Sequence, residues 1–222
     1  MPQTIITVEG EYEVRHPAER GTVRLTVTDD GPDSEQVLAT TTERHATLTR
    51  RLEELHDSQS GPVVSWSSEQ LRVWGERPWA QDGRRMAVVI HAEAGVEATF
   101  SDLTALSDWV GAVSLLDGIT IEGIRWTLTE SRRQSLTQEA RRRAVENAVA
   151  KATVYATSLG LGSVTPLALS DPGMLGDGQT APGPPQPFSA RSVAAKANAG
   201  PLALNPESIA IAVQVHARFA AS

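Results

Sequence analysis

At 222 residues the chain can bury roughly 70% of its unfolded surface without a covalent staple. It has no cysteine, which excludes disulfides, thiolate metal sites and cysteine nucleophiles. A net charge of −7 argues against a general nucleic-acid or anionic-membrane binder, and neither a membrane-length apolar run nor a signal-like start in MPQTIITVEG is present, so a cytoplasmic protein is expected.

Strand alternation starts at once. Ile6, Val8, Tyr12 and Val14 share one face, opposite Thr7, Glu9, Glu11 and Glu13. A turn over His16–Gly21 leads to Val23, Leu25 and Val27, and the pair reads as a hairpin. Asp33 and Gln36 are spaced like a capping box, opening a helix with the stripe Leu38, Thr41, His45, Leu48, Leu52 and Leu55. Gly61-Pro62 breaks the chain before a strand from about Val63 to Trp74. After a turn near Pro78–Gly83, Met86, Val88 and Ile90 mark the next strand. Ser101 is placed to cap a second helix with the stripe Leu103, Leu106, Val110 and Val113. In the strand 119–130 the apolar parity switches between Ile121 and Ile124, which points to a β-bulge at Glu122-Gly123.

A third helix is expected from Ser135 to Leu159, with Gly160 at its C′ position. Alanines at 140, 144, 148, 152 and 156 form a ridge of methyls on one face. Such a face admits a close backbone layer and offers no reactive atom. A short strand, Val164–Leu169, precedes a Pro/Gly-rich loop over 171–206, and Ile209 to Phe219 alternate as the final strand. The order β-β-α-β-β-α-β-α-β-loop-β predicts an α+β fold with a largely antiparallel sheet and about three helices. A single domain over 1–222 is expected, with 1–75 and 76–222 as its lobes if it divides.

Several stretches together resemble the SIMPL-domain family, the YggE-like group of bacterial proteins. They are IITVEGEYEV, VEATFSDLTALSDWV followed by GITIEGIRWTLTES, EARRRAVENAVAKATVYATSLGLGSV, and the closing NPESIAIAVQVHARF. The resemblance implies an α+β fold and a non-enzymatic role in stress response or signalling. Some envelope members assemble into large rings, and an animal member is a signalling adaptor. The family offers no catalytic residues to carry over.

The residues themselves offer few candidate sites. His91 and Glu93 share a strand's polar face, as do Gln214, His216 and Arg218 on the last strand. Were those strands neighbours, His91, Glu93 and His216 would make a two-histidine, one-carboxylate site. Solvated strand faces carry such residues routinely, so neither metal nor cofactor is expected. His45, on an apolar stripe, reads as a partly buried histidine with one hydrogen-bond partner. There is no G-x-S-x-G elbow, dinucleotide fingerprint or P-loop, and no enzyme is expected.

Between Ser131 and Lys151 six basic residues face two acids, and Arg141, Arg142 and Arg143 are the densest part. A basic helix face can hold RNA, but a solvated face tied by Glu139–Arg143 and Arg142–Glu146 pairs is the simpler reading. Trp109 and Trp126 fit a core, whereas Trp74 and Trp79 flank a turn and are the expected contact surface for a protein partner. The resulting expectation is a homo-oligomer or partner-binding protein. The alternatives are a small-molecule or nucleic-acid binding module and a metal-dependent enzyme.

Overall fold

The computed structural model describes residues 4–79, 85–175 and 204–222. These contain β1 (Thr4–Pro17), β2 (Arg20–Gly31), α1 (Ser34–Leu55), β3 (Val63–Ser68), β4 (Arg72–Glu76), β5 (Val89–Phe100), α2 (Leu103–Val113), β6 (Ile119–Thr127), α3 (Glu130–Ser158), β7 (Val164–Ser170) and β8 (Ser208–Ala221). The fold is α+β, with three helices and mostly antiparallel sheets. Most of the Pro/Gly-rich stretch read as a loop lies outside the described residues. The chain forms two compact units, with boundaries near 16/17 and 128/129.

The first unit is a three-stranded sheet in the order β1-β8-β7 with α3 packed on one face. Ala140, Ala144, Ala148, Ala152 and Ala156 are fully buried, and the last four pack with Ile6, Val8, Val215, Ala217 and Phe219. The alternating strand faces and the four-residue ridge thus meet as their periods require. Approach is closest at Gly10 of β1. A side-chain carbon there would lie 2.7 Å from the Ala148 Cβ and 2.8 Å from its backbone nitrogen, so only glycine fits. Two side chains of α3 also bind the β1 backbone: Lys151 Nζ donates to the Glu9 carbonyl at 3.0 Å, and Asn147 Oδ1 accepts from the Glu11 N–H at 3.2 Å. The helix begins earlier than Ser135. Thr129 is the N-cap, accepting from the Arg132 N–H at 3.3 Å, and Gly160 ends the helix with φ +72°.

The second unit is a sheet ordered β3-β5-β2-β6, with β4 beside β5. Val23, Leu25 and Val27 of β2 are fully buried against Leu48 and Leu52 of α1 and Leu106, Val110 and Val113 of α2. Arg24 pairs with Gly123 and Leu25 with Ile121, so Glu122 is the extra residue of the expected bulge.

Other expectations need correction. β1 and β2 are not a hairpin: β1 lies beside β8, and β2 lies between β5 and β6. Alternation fixes which face a strand buries but not which strand lies beside it. His16 belongs to β1, not to a turn. The cap of α2 is Asp102, which accepts from Thr104 and Ala105 N–H groups at 2.8 and 3.1 Å, while Ser101 bonds the Gly61 carbonyl. On α1 it is Val37 that is buried and Leu38 that is exposed. The stretch Val63–Trp74 is interrupted at 69–71, although β3 and β4 run along the same edge of β5. The next strand starts only at Val89, leaving Met86 exposed.

Candidate functional site

The histidine–carboxylate trio does not assemble. His91 and Glu93 stand on β5 and His216 on β8, in different sheets, so the strand adjacency that the trio required is not formed. Each is engaged locally: Glu93 accepts from Arg72 at 3.0 Å, His91 Nε2 lies 3.8 Å from Glu76, and His216 Nε2 lies 3.7 Å from Glu9. Among the described residues no three His, Asp or Glu side chains have metal-ligand spacing. His45 shares a 2.5 Å hydrogen bond with the Ser68 hydroxyl, and partial burial lowers its pKa.

The basic helix face is exposed and partly neutralised. Arg142 and Arg143 both reach Glu146, at 2.8 and 3.2 Å, so Arg143 turns to Glu146 rather than to the expected Glu139. Arg133 pairs with Glu130 at 2.6 Å, and that guanidinium, then Gln134, holds the Glu130 carboxyl below its usual pKa. Exposed pairs of this kind contribute little to stability, because water screens them and two long side chains must be ordered to form them. Arg141 edges a shallow depression whose rim is polar.

On the face of the second unit's sheet away from its helices, a depression of about 310 Å³ is lined by Arg24, Glu97, Glu122 and Arg125. Its charges are engaged with one another and with Glu69. Arg24 bridges Glu69 at 2.6 Å and Glu122 at 3.3 Å, and Arg125 lies 3.6 Å from Glu97.

Exposed apolar side chains occur on α3 (Val149, Val154, Tyr155) and β7 (Leu167, Leu169), but the two exposed tryptophans, Trp74 and Trp79, are both on the β4–β5 hairpin. β4 is exposed along its whole length. Arg72, Trp74 and Glu76 share one face with His91 and Glu93. The Trp74 indole stacks on the His91 ring, with centroids 5.4 Å apart and planes 24° from parallel. The Arg72 guanidinium stands 5.6 Å from the Trp74 ring, and Arg85 stands 5.1 Å from the Trp79 ring. Each such contact is worth about 0.5–1 kcal/mol at an exposed site. Trp79 is 66% exposed, Met86 53%, Val73 44% and Trp74 41%. Trp109 is buried and Trp126 packs against the same core.

The sequence pointed to Trp74 and Trp79 but missed their setting. Arg72 and Glu76 bracket Trp74 on its own face, and Val73, opposite Ala92, lies on the other. The readable signal was the alternation in Arg72-Val73-Trp74-Gly75-Glu76, which places an aromatic ring between opposite charges.

Among the described residues no helix is long and apolar enough to cross a membrane. A family model described as "SIMPL: Protein of unknown function (DUF541)" matches residues 6–219. No curated protein matches the chain. The match spans nearly the whole length, and the chain belongs to the SIMPL family.

Proposed function

We propose that this SIMPL-family protein acts by protein contact and self-assembly, without catalysis, through its β4–β5 hairpin. The observation that carries the reading is the pair of exposed tryptophans there, Trp74 and Trp79. Exposed tryptophans gathered on one hairpin are costly to leave in water and are enriched at contact centres. A stress-response or signalling setting, which the family resemblance implies, suits a module that works by docking.

The test is fluorescence quenching by acrylamide over low to high micromolar protein. Trp74 and Trp79 are the exposed tryptophans, so the quenchable fraction should fall as the chain associates. A Trp74→Ser/Trp79→Ser variant should remain monomeric over the same range. Quenching independent of concentration in the native chain would refute self-assembly through this surface.

A further inference from the structure

We infer that β4 is a strand-addition edge that pairs with β4 of a second copy, antiparallel, about a two-fold axis at Trp74. The inference rests on the assembly reading above and specifies its geometry. A sheet edge exposes unpaired backbone donors and acceptors and invites another strand unless something blocks it. The other edges of both sheets carry such blocks among the described residues. The backbone of β1 is bonded by Lys151 and Asn147 of α3. β7 contains Pro166 and a register break before Ala168. β6 is bulged at Glu122. β3 is broken in register between Val63 and Ser65, and the Val63 carbonyl is taken by the Asp57 N–H and the His56 ring.

β4 carries none of these. Its residues Arg72–Glu76 pair in unbroken register with 93–89 of β5, its one strand partner among the described residues, and it contains no proline. The sequence of this edge is complementary to itself. With antiparallel pairing centred on Trp74, Arg72 stands opposite Glu76 of the second copy, and Glu76 opposite its Arg72. Val73 meets the second copy's Gly75, and the two Trp74 rings flank the axis. The match continues onto β5. Glu93 already binds Arg72 and His91 already faces Glu76. Across the joined sheets Glu93, Arg72 and Glu76 of the second copy then stand in one row, with His91 of the second copy diagonal to that Glu76. Directly opposed cross-strand charges of opposite sign stabilise such a pair, and like charges oppose it. A two-fold contact of this kind is isologous and closes at a dimer.

The test uses the full chain and two single charge reversals in sedimentation equilibrium, with thermal melts to confirm that both variants fold. Arg72→Glu places Glu opposite Glu, and Glu76→Arg places Arg opposite Arg, so each variant alone should associate at least about tenfold more weakly than the native chain. Mixed together, the two variants become complementary at both positions. The Arg72→Glu chain presents two acids along the edge and the Glu76→Arg chain presents two bases, so both pairs across the interface set acid against base, while the Arg72→Glu chain loses its own bond to Glu93 in the monomer and the dimer alike. The mixture should therefore form a one-to-one heterodimer. Strong native association that both reversals leave unchanged would overturn this register while leaving assembly intact. A mixture no more associated than its components would also overturn the register. A native chain that stays monomeric would overturn both this inference and the assembly reading.

Discussion

Replacing Gly10 with alanine tests the contact on which the first unit is built. The added methyl would stand 2.7 Å from the Ala148 Cβ and 2.8 Å from the Ala148 nitrogen, and would collide with the Ala144 carbonyl oxygen. Carbon–carbon contacts are optimal at about 3.5–4.0 Å, so α3 must retreat by roughly 1 Å. The atoms struck are backbone and a stub methyl, and no flexible side-chain end can swing aside. Retreat also stretches the bonds from Lys151 to Glu9 and from Glu11 to Asn147. Overpacking of this kind costs about 1–3 kcal/mol, and a rigid neighbour puts the site at the upper end, about 2–3 kcal/mol. For a chain of this size that lowers the midpoint by roughly 5–10 °C. Far-UV circular dichroism reports the change well, because α3 is the longest helix, at 29 residues. All five tryptophans lie between 66 and 126, in the other unit, so their emission should shift less. An unchanged dichroism midpoint for Gly10→Ala would show that strand and helix are not in contact here.

Ala148→Leu should likewise overpack the ridge and cost about 1–3 kcal/mol in urea denaturation; an unaltered midpoint would mean that the ridge does not face β1 and β8. Asp102→Ala removes the acceptor of two N–H groups and should cost about 1 kcal/mol, whereas equal stability would show that the cap contributes nothing. Burial holds the His45 imidazole below its usual pKa of 6.5. The unfolded chain therefore takes up this proton at a higher pH than the folded chain does. The His45 contribution to stability is complete above the unfolded value and is lost as pH falls below it toward the folded value. His45→Gln should flatten the stability–pH profile in that window, and a profile identical to that of the native chain would contradict the assignment.

Much of this was legible in the sequence because it is local. The alternation of β1 and β8, the bulge at Glu122 and the alanine ridge each follow from a period of two or four residues or from its interruption. Neighbouring cap residues are harder to separate. Ser101 and Asp102 adjoin each other, and both are good caps. Thr129 and Ser135 each suit the start of α3, and the earlier one begins it. Strand partnership was not legible. The Ile6 and Val8 face demands burial whichever strand lies beside β1, and the partner, β8, lies at the far end of the chain. The same limit removed the His91–Glu93–His216 trio, which depended on a partnership between β5 and β8. The charge pattern around Trp74 was visible from the outset, but it acquired meaning only once β4 was seen to be an unblocked edge.

Association through the β4 edge should show in the mass of the untagged protein in solution. Sedimentation equilibrium from low to high micromolar should give a mass that rises from 23.8 kDa toward twice that value, with the rise moved at least about tenfold higher in concentration by Glu76→Arg. A mass that stays at 23.8 kDa across the whole range would mean that the β4 edge does not pair.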